Sequence, residues 1–256
     1  MILLETLAVA FSMYSGIPMP QFEWNKENMR YAMAAFPLIG PVIGLAEYLA
    51  FFACEWLGIA GLLRGAVLCI LPILITGGIH LDGYSDTEDA LASHKSPEEK
   101  QQILKDPHVG SFALIRIFIY LLLSFALWAS LPAYHALEIL FLFCISRCLS
   151  GLSVCCFPLA KSSGLVYSFA EAADKKRTRR ILLLFLLFCL AGELFFGGME
   201  GGAALLAAAL VFAFYYRTAK KKFGGLSGDL AGWFLQKCEL WMLIGIYMVQ
   251  ILENRL

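Results

Sequence analysis

The chain has 256 residues, 60% of them hydrophobic and 16% charged, with a mean hydropathy of +0.72 and a net charge of zero. A soluble domain is nearer half apolar and a quarter charged, so the composition excludes an ordinary soluble protein. No global charge favours nucleic acid.

The first apolar stretch, Leu3 to Met13, lacks a preceding basic segment and is broken by Gly16-Ile17-Pro18-Met19-Pro20. It reads as an interfacial helix or half-span rather than a cleavable signal. Seven longer apolar runs follow, near 38–57, 62–80, 112–131, 136–157, 181–198, 202–217 and 238–252. Most approach the roughly 20 residues that cross a hydrocarbon core of about 30 Å, and the last two are short. The expectation is an all-α, polytopic membrane bundle of about seven spans (six to eight), folded as one domain over 1–256, with no internal repeat. The eight cysteines, Cys54, Cys69, Cys144, Cys148, Cys155, Cys156, Cys189 and Cys238, form no paired CxxC motif and read as buried free thiols.

Long connections (81–111, 158–180, 218–237) alternate with short ones (58–61, 132–135, 199–201), and Lys and Arg concentrate in the long ones. The positive-inside rule therefore predicts that the three long loops, and the segment with Lys26 and Arg30, face the cytoplasm of a cell membrane. The run Lys175-Lys176-Arg177 with Arg179 and Arg180 reads as an anchor to anionic headgroups.

The second run passes through Gly77-Gly78-Ile79-His80 into Leu81-Asp82-Gly83-Tyr84-Ser85-Asp86-Thr87-Glu88-Asp89-Ala90. On a helix, Asp82, Asp86 and Asp89 stand at i, i+4 and i+7, within one narrow arc. Carboxylates stacked in this way repel unless something neutralises them. A hard cation such as Mg²⁺, shared between these carboxylates and substrate phosphates, meets that need. A solvated acidic loop is the plainer alternative. His80 is placed to donate a hydrogen bond to a phosphate or a carboxylate.

Ser96-Pro97-Glu98-Glu99 predicts a short capped helix to about Lys105. Asp106 and His108 then either face the metal and phosphates, or Asp106 simply caps the next helix. Arg147, deep in an apolar run, must face a polar interior. It either binds an anionic substrate or pairs with a buried acid such as Glu138 or Glu193. Lys161 is a phosphate candidate in the second long loop. In the third, Phe223-Gly224-Gly225-Leu226-Ser227-Gly228-Asp229 offers backbone N–H groups for phosphate ahead of a helix. Asp229, Gly232, Gln236 and Glu239 then recur on one helical face as a second polar stripe.

These motifs together resemble the cobalamin synthase family, the adenosylcobinamide-GDP ribazoletransferases. The resemblance rests on Gly77-Gly78-Ile79-His80-Leu81-Asp82-Gly83 with Asp86 and Asp89, on Lys105-Asp106 with Val109-Gly110, and on Gly224-Gly225-Leu226-Ser227-Gly228-Asp229. Phe36-Pro37-Leu38-Ile39-Gly40, Arg147 and Lys161 with Gly164-Leu165 add weaker matches. Ala90, Pro107-His108 and Ser227 depart from residues common in the family. The resemblance implies a phosphoryl transfer in which a hydroxyl of α-ribazole or its 5′-phosphate attacks adenosylcobinamide-GDP and GMP leaves, with Mg²⁺ as cofactor. On that resemblance Asp82 and Asp86 would hold the metal, Asp89 would be a third ligand or the base for the attacking hydroxyl, and Lys105, Arg147 and Lys161 would balance phosphate charge. Oligomerisation is left open. A CDP-alcohol-type phosphotransferase and a divalent-cation transporter are the competing readings. The second Asp-rich stripe of the former is not found. The one-sided position of the acids argues against the latter.

Overall fold

The computed structural model describes residues 2–132, 136–161 and 164–255. Most of the 132–135 connection, and Ser162-Ser163 of the second long loop, lie outside the described residues. The chain order is α1 (Ile2–Tyr14), α2 (Lys26–Met29), α3 (Ala32–Ala35), a 3-10 turn (Phe36–Leu38), α4 (Ile39–Trp56), α5 (Gly61–Ile75), α6 (Ile79–Ala92), α7 (Pro97–Ile103), α8 (Ser111–Ser130), α9 (Ala136–Cys156), α10 (Leu165–Ala172), α11 (Lys175–Lys222) and α12 (Gly228–Glu253). Among the described residues there is no strand, only an isolated bridge between Leu159 and Leu226. The all-α membrane bundle expected from composition is the fold observed. Five described helices are long and apolar enough to cross a membrane, or six if the bent pair α5–α6 is one span.

The fifth and sixth apolar runs lie in one 48-residue helix, α11, interrupted at Gly198 with φ 51° and ψ −120°. A side chain at Gly201 would collide with the Glu193 carbonyl, although eight residues of straight helix span about 12 Å. The chain therefore doubles back. Tyr215 of the second arm bonds Ser153 of α9 at 3.2 Å, and Leu182 of the first arm packs over Gly151 of the same helix. Both outer ends of α11 thus lie at one end of the bundle, and each of the seven apolar runs has its own helical segment. α8 shows the lipid-facing pattern: Phe112, Ile115, Phe118 and Leu122 are all exposed, as expected of side chains solvated by acyl chains rather than by protein.

The chain bends 93° between α5 and α6. Gly77 (φ 64°) and Gly78 (φ 78°) occupy left-handed backbone that only glycine adopts without strain. α6 therefore leaves the direction of its span and lies against α8 and α12, carrying the aspartates with it. α7 begins with the expected capping box: Ser96 Oγ accepts the Glu99 N–H, and Glu99 Oε2 accepts the Ser96 N–H at 3.0 Å. α12 starts ten residues before its apolar run, because its polar first turns also pack inward, Trp233 and Phe234 being fully buried.

Candidate active site

Two glycines decide where the polar stripes meet. A β-carbon on Gly83 would lie 2.8 Å from the Asp229 carbonyl oxygen, and one on Gly232 would lie 3.0 Å from the His80 carbonyl oxygen. α6 and α12 therefore cross backbone to backbone, the approach that side chains would prevent. The crossing sets Asp82 and Asp229 beside one cavity of ≈ 450 Å³. His80, Lys105, Lys161 and Ser227 also line it, while Tyr14, Met33 and Phe36 from the N-terminal segment supply apolar wall.

Asp86 stands one turn beyond Asp82. Burial pushes its carboxyl up to about 6, and neighbouring Asp82, Asp229 and Asp89 push in the same direction. Among the described residues no salt bridge pairs Asp82 or Asp86. Asp89 has a different environment: its two oxygens accept the N–H groups of Gly110 (2.6 Å) and Ala113 (3.2 Å) at the start of α8. A carboxylate there complements the helix dipole and satisfies orphan donors. Among the described residues no three His, Cys, Asp or Glu side chains converge as a ready metal shell. The expected three-aspartate cluster is therefore a row of carboxylates rather than a closed cage.

The cations divide in two groups. Lys161 Nζ donates to the Gln101 carbonyl at 3.2 Å. Burial and then neighbouring Lys105 hold its ammonium below the usual range, with Asp229 opposing them. Both lysines line the same cavity as Asp82 and Asp229. Arg147 is instead 1% exposed within the bundle, where it bonds Glu239 Oε1 at 2.6 Å, and Ser146 donates to the same oxygen at 2.8 Å. The buried ion pair expected for Arg147 exists, but with Glu239 rather than Glu138 or Glu193. The Arg147 charge is felt by His80, whose Nε2 has no hydrogen-bond partner among the described residues. Gln236 is buried on α12 and, like Arg147 and Glu239, is not part of the cavity wall.

Other placements also differ from the sequence-based expectation. Asp106 and His108 bond each other at 2.7 Å on the surface, with side chains 55% and 88% exposed, and do not reach the cavity. The His108 backbone N–H also bonds Asp106, holding that carboxyl below its ordinary value. In the Gly224-Gly225-Leu226 segment two backbone N–H groups are already taken up by protein carbonyls. The Gly225 N–H goes to the Ala219 carbonyl and the Leu226 N–H to the Pro158 carbonyl. A β-carbon on Gly225 would sit 2.5 Å from Ala160. The glycines let the third loop pair with the second, which brings Lys161 to Asp229. Ser227 caps α12, its Oγ accepting the Leu230 N–H at 3.3 Å.

Sequence reasoning missed Gln101 and Glu88. Gln101 joins α7 to the cavity wall and donates to the Phe223 carbonyl at 3.1 Å. Glu88, on the far side of α6, pairs with Lys237 at 2.9 Å and accepts from Trp233 Nε1 at 2.8 Å, pinning α6 to α12. Its i, i+2 offset from Asp86, away from the aspartate arc, was the available signal.

A cavity in a membrane-helix bundle, lined by both carboxylates and lysines, is the kind of site a polytopic membrane transferase uses. The chain matches the cobalamin-5-phosphate synthase family over residues 6–247 and belongs to it. It is 43% identical to the adenosylcobinamide-GDP ribazoletransferase of Lachnoclostridium phytofermentans over 93% of this chain and 91% of the relative. Identity is 33% to the enzymes of the same name from Clostridium perfringens (94% of this chain, 98% of the relative) and Desulfitobacterium hafniense (95% and 97%). No solved structure matches.

Proposed function

We propose that the chain transfers the adenosylcobinamide-phosphate moiety of adenosylcobinamide-GDP to α-ribazole or its 5′-phosphate. The products are GMP and adenosylcobalamin or its 5′-phosphate. The observation that carries this reading is the convergence of Asp82 and Asp229, from crossing helices, with Lys105 and Lys161 around one cavity. A ribazole hydroxyl oxygen forms a bond to the cobinamide-side phosphorus. The bond from that phosphorus to the bridging oxygen breaks, GMP leaves with the bond pair, and the hydroxyl proton passes to a base. Asp229, the cavity-lining carboxylate not assigned to the metal, is placed to take it. Lys105 and Lys161 lie where diphosphate charge would concentrate, and positioned cations of this kind typically lower such barriers more than any covalent participation.

The donor set fits Mg²⁺ held jointly with substrate. Oxygen ligands, carboxylates without cationic partners and an incomplete protein shell are what a partly hydrated Mg²⁺ bridging to phosphate uses. Asp82 and Asp86 would hold it, with Asp89 beside them on the same arc; its chemistry would be to polarise the diphosphate and neutralise its charge. The lysine- and arginine-rich loops support a cell-membrane location with this cavity on the cytoplasmic side.

GMP release from adenosylcobinamide-GDP, measured against Mg²⁺ concentration for wild type, Asp82→Asn and Asp86→Asn, tests the reading. The expected result is a loss of 10²-fold or more, on the order of one removed transition-state contact. Near-normal turnover with unchanged Mg²⁺ dependence in both variants would rule the scheme out.

A further inference from the structure

Four lysines and a histidine converge on a second pocket that the transfer reaction leaves unused. It encloses ≈ 320 Å³ between the end of α6 (Leu91, His94), the start of α7 (Lys95, Pro97, Lys100) and the end of α11 (Lys221, Lys222). Lys100 is 4% exposed, and its ammonium donates to the Lys95 carbonyl. Among the described residues no salt bridge pairs any of these four lysines. The nearby carboxylate of Glu99 interacts with Lys95 and Lys100 through space but is held by the Ser96 N–H of the capping box. A buried ammonium with no ion pair, among like charges, is unfavourable in a folded protein. An anion seated among these lysines would offset that cost.

The position of the pocket indicates its source. The second arm of α11 is apolar through Phe214, then reads Tyr215-Tyr216-Arg217 and Lys220-Lys221-Lys222, with Lys220 over the Tyr216 ring at 5.8 Å. Aromatic residues followed by basic ones mark the depth of the lipid headgroups. The pocket also shares a wall with the active site. α7 presents Lys100 to the lysine pocket and Gln101 to the cavity, and Gln101 binds both the Phe223 carbonyl, next to Lys222, and Lys161.

We propose that this pocket binds a phosphate-bearing anion, the headgroup of an acidic phospholipid, and that its occupancy holds α7 against α11 as the wall of the active-site cavity.

The test is hydrogen exchange of α7 amides, with the full chain in nanodiscs of phosphatidylcholine alone or mixed with phosphatidylglycerol. This readout needs no turnover, so it stands apart from the assignment of the reaction. The acidic lipid is expected to slow exchange over 97–103 in wild type. In Lys221→Gln/Lys222→Gln the lipid concentration giving half-protection should rise roughly 25-fold, at about fivefold per lysine removed. Lys175→Gln/Lys176→Gln, which removes equal charge from the opposite end of α11, should keep the wild-type response. Inorganic phosphate is added to the phosphatidylcholine discs as a second arm. Protection there that is lost in Lys221→Gln/Lys222→Gln supports the anion site but assigns it to a soluble phosphate. No protection by either anion, or equal protection in wild type and Lys221→Gln/Lys222→Gln, overturns the proposal.

Discussion

Replacing Gly83 with alanine isolates the α6–α12 crossing from the chemistry it serves. The added methyl carbon would sit 2.8 Å from the Asp229 carbonyl oxygen and 2.9 Å from its Cα. Carbon atoms in contact prefer about 3.5–4.0 Å, so the helices must part by roughly 0.6–1 Å. Both obstructing atoms are backbone, so no rotamer change relieves the clash. Overpacking of this kind costs about 1–3 kcal/mol, offset by roughly 0.8–1 kcal/mol from the better helix propensity of alanine. The net loss of stability is about 0–2 kcal/mol, small enough for the protein to remain folded. Catalysis is more sensitive, because a misplacement near 1 Å costs about 10²-fold. Gly83→Ala should therefore melt within a few degrees of wild type yet release GMP about 100-fold more slowly. Gly202→Ala, with nothing within 4 Å of the new carbon, should leave turnover unchanged. A Gly83→Ala protein with wild-type GMP release would show that the crossing does not set the site.

Further outcomes separate the other roles. Glu239→Gln leaves Arg147 charged and uncompensated in the bundle, and thermal melting should show a loss of about 3–5 kcal/mol, with Arg147→Met/Glu239→Leu much milder. Asp89→Ala removes the acceptor at the start of α8 and should lower stability by about 1 kcal/mol, on the scale of other lost helix-terminal acceptors. Lys161→Ala should slow GMP release about 10²-fold, whereas His108→Ala, whose ring meets only Asp106 on the surface, should stay within about twofold of wild type. The Asp86 carboxyl is raised to about 6 in the fold from an ordinary 3.8, so the folded protein binds this proton more readily than the unfolded chain. Without metal, stability should be highest below pH 3.8 as far as this group is concerned and fall as pH rises through about 6. Asp86→Asn should flatten that slope in a pH series of melting curves.

What was legible in the sequence follows from the range of each interaction. The spans, the capping box at Ser96 and the alignment of Asp82, Asp86 and Asp89 depend on residues within a few turns of one another, and periodicity encodes them. Gly83 and Gly232 were visible only as helix breakers or as members of a motif. Their use as a crossing point depends on a contact almost 150 residues away in sequence, which one chain does not display. The same holds for Arg147: burial demanded an acid, but Glu47, Glu138, Glu193 and Glu239 are all buried, so composition did not choose among them. The break at Gly198 was legible by the same local logic: Gly197-Gly198-Met199-Glu200-Gly201-Gly202 separates two apolar runs, and the reversal falls beside the expected 199–201 connection.

The buried Arg147–Glu239 pair also connects fold to site. Charges so deep are retained only when both partners are satisfied, and here Glu239 accepts from both Arg147 and Ser146 on α9. The pair ties α9 to α12 nearly three turns below Asp229. Glu88 ties α6 to the same helix through Lys237 and Trp233. α12 is thus held by ionic contacts to both α9 and α6, just C-terminal to the glycine crossing, and the carboxylates beyond it inherit that fixed spacing. A row of aspartates can then remain close and mutually repulsive without the helices moving apart, which is the state a phosphorylated substrate and its cation would find preorganised.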